Sequence, residues 1–268
     1  MSETKAQSNR QWLTNRDWLN REWQAFWLAV GFLSRIPMLV SVDYSARLMN
    51  QSSLYFPLVG LMLGLIYSLL FLALALLWSP AVSVGLVLAF HLWLTGAFHE
   101  DGLADCADAL GGGMTVRDKL KIMKDSRIGT YGTVALVIAL GLKVALLLEI
   151  PNIALALLLA PCMARLTPLL LMRYLDYVSD RDRSKSKPVA ESFSTDRLLV
   201  ATLFTILVGL VASFWASWIL LWATIATAGT AAVWGGSLKR QLGGYTGDAL
   251  GASVVLSELV LLLLLAGE

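Results

Sequence analysis

The sequence predicts an all-α fold: a polytopic integral membrane bundle of about seven transmembrane helices, preceded by an N-terminal interfacial or re-entrant helix. Three observations predict it. Hydrophobic residues make up 57% of the 268, and they fall in long unbroken blocks rather than alternating ones. Charged residues account for only 15%, against about 25% in an ordinary soluble domain. Lys and Arg gather in alternate polar loops.

A helix crosses the ~30 Å hydrocarbon core with roughly 20 mostly apolar residues. The stretches that meet this are 54–78, 81–98, 130–149, 152–175, 198–214, 217–236 and 249–267. The apolar run from Leu198 to Leu238 is too long for one span and divides near Ser213–Ser217. Basic residues set the orientation. Arg117, Lys119, Lys121, Lys124 and Arg127 lie in loop 99–129. Arg181, Arg183, Lys185, Lys187 and Arg197 lie in loop 176–197, and Lys239 and Arg240 in loop 237–248. The tight connections at 79–80, 150–151 and 215–216 have neither Lys nor Arg. All the basic loops therefore face the cytoplasm, and the seven spans thread as three hairpins plus one final helix.

Residues 1–53 are expected to form an amphipathic interfacial segment and 54–268 a single transmembrane domain. Within the first, Trp23 to Val40 is apolar enough for a span, but Arg35 and Pro37 interrupt it and Lys5, Arg10, Arg16 and Arg21 hold the N-terminus inside, so 11–40 is read as an interfacial or re-entrant helix. Trp12, Leu19, Trp23, Phe26, Trp27 and Val30 fall on one helical face, as a helix lying on the membrane surface requires. A true span with the N-terminus outside is the alternative.

The net charge of +2 gives no reason to expect a nucleic-acid partner. Cys106 and Cys162 sit in unlike contexts and predict reduced, unpaired thiols. The polar, Trp-rich N-terminal stretch lacks a short apolar core and a small-residue cleavage site, so no cleavable signal peptide is expected.

Chemistry concentrates in three loop segments. In 98–113, Asp101, Asp105 and Asp108 stand at i, i+4 and i+7 and share one helical face beside three glycines. Three like charges on one face repel, and a hard divalent cation resolves the repulsion: Mg²⁺ takes one or two carboxylates plus phosphate oxygens. A solvated acidic helix end is the plainer reading. In 124–132, Arg127 suits bidentate phosphate binding, with Asp125 and Lys124 beside it; a basic flank of the next span would account for the lysines alone. In 243–248, Gly243 and Gly244 allow close approach to phosphate, Thr246 follows, and Asp248 either supports the site or caps the last helix. His99 is a candidate base, ligand or structural group, and His91 a helix–helix hydrogen bonder.

These segments, with Phe32-Leu33-Ser34-Arg35-Ile36-Pro37, resemble the adenosylcobinamide-GDP ribazoletransferase (cobalamin synthase) family in order and across nearly the whole chain. Ala109 departs from it, standing where many members carry Gly. The resemblance implies a Mg²⁺-dependent inner-membrane enzyme that joins adenosylcobinamide-GDP to α-ribazole or its 5′-phosphate and releases GMP. Its implied site has Asp101, Asp105 and Asp108 on metal, Arg127 and Lys124 on phosphate, Asp125 and Asp248 on metal or ribose, and His99 as base. Gly243, Gly244 and Thr246 complete the substrate site. Whether copies form a homo-oligomer is left open. A CDP-alcohol phosphotransferase or prenyltransferase is the rival enzyme reading, but it expects a wider acidic motif or two separated ones. A transporter would line its path with Lys143, Arg165 and Glu258. Counting ~1.5 Å per residue from the loop end, Arg165 and Glu258 reach the same depth and are expected either to pair or to face a water-filled cavity as separately solvated charges.

Overall fold

A computed structural model describes residues 15–178, 194–215 and 218–267. Arg181, Arg183, Lys185 and Lys187, the break near 216–217 and Trp12 lie outside the described residues. Among those described, the chain is helical and carries one parallel bridge, Tyr177 to Tyr245. The first helix, α1 (Asn15–Leu33), leads to α2 (Ala46–Ser52). A 3₁₀ turn joins α2 to α3 (Phe56–Leu74). Next come α4 (Pro80–Thr95), α5 (Phe98–Gly112), α6 (Val116–Ile122) and α7 (Thr130–Glu149). The chain continues with α8 (Ile153–Ala164), α9 (Leu166–Tyr174) and α10 (Thr195–Trp215). It closes with α11 (Ile219–Gln241) and α12 (Gly247–Ala266).

Five of these segments are long and apolar enough to cross a membrane, and the bent pair α4–α5 makes a sixth if taken as one span. The remaining expected stretch, 217–236, lies on α11. The second expected span ends early, at Thr95. Gly96 (φ 69°) and Ala97 (φ 55°) adopt left-handed backbone there and turn the chain through 85° into α5. That conformation disfavours a non-glycine residue by roughly 1–2 kcal/mol, so tertiary contacts hold the elbow. Across it His91 Nε2 and Glu100 Oε1 lie 3.2 Å apart, both side chains buried.

The span expected at 152–175 is broken at Arg165, between α8 and α9. Pro168 is the cause: it has no N–H for the Ala164 carbonyl, and its ring crowds that carbonyl. Gly60 and Gly64 of α3 lie against the backbone of α8. A Cβ on Gly60 would stand 2.7 Å from the Pro161 carbonyl carbon, and one on Gly64 2.8 Å from that of Leu158. Small residues four apart let two membrane helices approach this closely.

The loop ends of the helices assemble together. Tyr55 Oη donates to Glu22 over 2.8 Å, and Glu22 also pairs with Arg197 at the start of α10. Phe32 stacks on Phe56 at 5.9 Å, and the Arg35 N–H donates to the Leu94 carbonyl over 2.7 Å. Both halves of α1 thus contact the same end of the bundle. Its expected apolar face is divided: Leu19 and Trp23 are exposed, while Val30 is buried among α1's core residues.

The expected Arg165–Glu258 pair does not form. Glu258 accepts from Lys143 Nζ over 2.6 Å, both buried, and Arg165 Nη1 donates to the Pro161 carbonyl over 2.8 Å. Depth counted by rise alone ignores tilt and reach. The long lysine side chain leans back toward the loop end where α7 begins, and Arg165 turns to the Pro161 carbonyl one turn back.

Candidate active site

The site is built on α5. At about 100° per residue, Asp101, Asp105 and Asp108 share one face while His99, Leu103 and Cys106 share the opposite, buried one. The structure therefore separates His99 from the aspartates: it lies under α5, close to Gly251 of α12. The elbow and the His91–Glu100 contact hold that underside in the bundle, which turns the acidic face outward.

The start of α12 supplies the fourth acid. Here α5 crosses α12 at glycines: a Cβ on Gly102 would stand 2.5 Å from the Asp248 carbonyl oxygen and 3.1 Å from its Cα. At Gly251 an added Cβ would lie 3.4 Å from His99 Cα. This backbone contact brings Asp248 beside the acidic face. The result is electrostatically uncompensated: burial, then Asp101, Asp248 and Asp108, push the Asp105 carboxyl up to about 7.

Asp108 has a further engagement. Its carboxylate accepts from the N–H of Gly129 over 2.7 Å and from that of Gly132 over 2.9 Å. It therefore caps the N-terminus of α7 from outside the helix and ties loop 125–132 to α5. A side chain at either glycine would collide with this carboxylate.

The second segment lies at the rim. Arg127 Nε and Nη2 donate to Asp125 over 2.9 and 2.6 Å, with the Arg127 side chain 86% exposed. These hydrogen bonds hold the Asp125 carboxyl down to about 2. Lys124 is exposed, whereas Lys119 donates to Gln241 at the end of α11 over 2.9 Å. The third segment is shaped by its neighbours. Gly243 takes φ 83°. Gly244 lies against the Asp176 carbonyl. The Tyr245 N–H donates to that carbonyl over 2.9 Å, and the Val178 N–H to the Tyr245 carbonyl over 2.8 Å. Thr246 caps α12 by accepting from the Ala249 N–H over 3.1 Å. The segment thus sets where α12 begins, and with it Asp248.

Asp101, Asp105, Asp108 and Asp248 converge, then, with Asp125 and Arg127 at the rim and His99 apart. Sequence reasoning missed the parts of Gly102, Gly251, Asp176 and Glu100. Glycines inside otherwise good helices were the available signal for the first two; nothing local marks Asp176. Among the described residues no three His, Cys, Asp or Glu side chains close around one point tightly enough to hold a metal unaided. A Mg²⁺ ion at this face would have to complete its shell with waters and substrate phosphates. The all-carboxylate donor set and the raised Asp105 carboxyl fit such an ion.

Comparison with known proteins bears on the same chemistry. The family model described as Cobalamin-5-phosphate synthase matches residues 25–266. An adenosylcobinamide-GDP ribazoletransferase of Vibrio cholerae is 44% identical over 250 residues, covering 92% of this chain and 95% of that protein. One of Vibrio parahaemolyticus is 42% identical over 272 residues, covering 99% and 97%. One of Shewanella pealeana is 43% identical over 247 residues, covering 90% and 93%. No solved structure matches the chain. With a family model matched over most of its length, the chain belongs to the cobalamin-5-phosphate synthase family.

Proposed function

We propose that this chain is the transferase that joins adenosylcobinamide-GDP to α-ribazole or its 5′-phosphate and releases GMP, at the acidic face of α5. A ribose hydroxyl attacks the phosphorus nearer the cobinamide. The new P–O bond forms as the bond to GMP breaks, and the hydroxyl proton leaves to solvent or to a nearby carboxylate. The observation that carries this reading is the convergence of Asp101, Asp105 and Asp248 at the α5–α12 crossing, where like charges stand without a counter-cation among the described residues.

A Mg²⁺ ion bound there supplies Lewis-acid stabilisation of the phosphate oxygens. Asp101, Asp105 and Asp248 hold the ion, and Asp108 fixes the loop that carries Asp125 and Arg127. Arg127, already near carboxylate oxygens, exchanges Asp125 for a phosphate as substrate arrives. The loop end faces the cytoplasm of the inner membrane, where both large substrates are soluble. An acidic set at a membrane face serves such substrates better than the mid-bilayer site of a transporter.

Purified protein in detergent, given both substrates, should release GMP only with Mg²⁺ present. Release that persists in excess chelator would remove the metal from the reading. Single cysteines near Lys121 and Arg240, in a background without Cys106 and Cys162, should react from the cytoplasmic side alone.

A further inference from the structure

The seam between α9 and α11 differs from that between α3 and α8. On α3 the small residues are filled by the α8 backbone. On α11, Ala228, Ala232, Gly235 and Gly236 face Leu171 and Tyr174 of α9 across a cavity of about 390 Å³. A Cβ on Gly236 would meet nothing within 4 Å. The lining is almost wholly apolar, and its one charged group is Lys239, in the last turn of α11 at the loop end. The Lys239 side chain makes no hydrogen bond or ion pair among the described residues, unlike that of Lys119, which is held by Gln241. Arg240 follows it, and Tyr174, whose ring centroid lies 5.8 Å from the Arg173 guanidinium, also lines the groove.

An open apolar groove in a bilayer forfeits dispersion contacts on its lining unless a chain fills it. Basic pockets between membrane helices on the cytoplasmic side suit anionic headgroups. We propose that the α9–α11 groove binds one anionic phospholipid of the leaflet at the loop end, its acyl chain along Ala228, Ala232 and Gly236 and its phosphate on Lys239. The small residues admit the chain, and Lys239 selects the headgroup, with Tyr174 on the facing helix.

The test is native mass spectrometry of the delipidated full chain titrated with dioleoyl phosphatidylglycerol or dioleoyl phosphatidylcholine. The phosphatidylglycerol adduct should persist in preference to the phosphatidylcholine one. Lys239→Gln should weaken that preference roughly fivefold, the factor that about one basic contact at a membrane surface supplies. Ala232→Leu, which fills the groove, should lower retention of both lipids. Equal retention of the two by the parent chain, or a preference unchanged in Lys239→Gln, overturns the proposal. So does a dimer mass that Ala232→Leu abolishes, since a second copy would then occupy the groove. Lys239 is exposed, so its variant reads the headgroup contact even where the leucine variant does not fold.

Discussion

Charge is handled in opposite ways on the two sides of α5. Beneath it, Glu100 meets His91 at 3.2 Å and Glu258 meets Lys143 at 2.6 Å, all four buried. On the outer face Asp101, Asp105 and Asp248 stand together with no basic partner among the described residues, while Arg127 is turned to Asp125 at the rim. Paired charges inside a bundle hold helices in register, because separating them leaves each ion without solvent. Unpaired like charges at a surface do the reverse: they weaken the empty protein and gain when a cation arrives. The difference separates architecture from chemistry in a chain where both use carboxylates. Arg165 stands between the two cases, being buried yet bonded only through Nη1, with Nε and Nη2 unpartnered.

The largest effect that would break this contrast lies on the outer face. Asp101→Asn or Asp105→Asn should lower Mg²⁺-dependent GMP release on the order of a thousandfold or more, from several kcal/mol of lost transition-state stabilisation. Neither should lower metal-free stability, because each removes a repulsion. Normal turnover in both variants would return the acidic face to an ordinary helix surface.

Beneath α5 the sign reverses. Lys143→Met should cost about 3–5 kcal/mol of stability by stranding Glu258, and adding Glu258→Leu should recover most of it. Unfolding in detergent micelles measures both, and additive losses in the double variant would show that the pair does not act as one unit.

The crossing that joins the two regions gives a smaller effect. Gly102→Ala introduces a Cβ where the Asp248 carbonyl already stands, at a cost of about 1–3 kcal/mol. By moving Asp248 away from Asp101 it should also raise the Mg²⁺ concentration needed for half-maximal release. An unchanged metal requirement would show that Asp248 plays no part in binding the ion.

The smallest effect is a pH dependence. With its carboxyl raised to about 7, Asp105 keeps a proton in the folded state that the unfolded chain releases at ordinary carboxylate pH. Metal-free stability should therefore fall as pH rises from about 4 to 7, relative to Asp105→Asn. Saturating Mg²⁺ should flatten the slope. Melting temperatures of the two proteins across that range measure it, and parallel curves without metal would mean Asp105 titrates normally.

The sequence by itself determined the bundle, because a lipid solvent demands long apolar runs that can be read without knowing any contact. Loop-end signals were equally local: Lys and Arg mark the polar loops, and the i, i+4, i+7 spacing places Asp101, Asp105 and Asp108 on one face of a single helix. Only the tertiary structure decided how the acids divide. Asp108 became a cap for α7 because Gly129 and Gly132 turn their N–H groups toward it. Asp248 joined Asp101 and Asp105 because Gly102 lets α5 cross the start of α12. Glu258 meets Lys143 of α7, while Arg165, at the break between α8 and α9, turns to the Pro161 carbonyl. Each outcome depends on where one helix crosses or breaks against another, and residue spacing along a single helix carries no information about that.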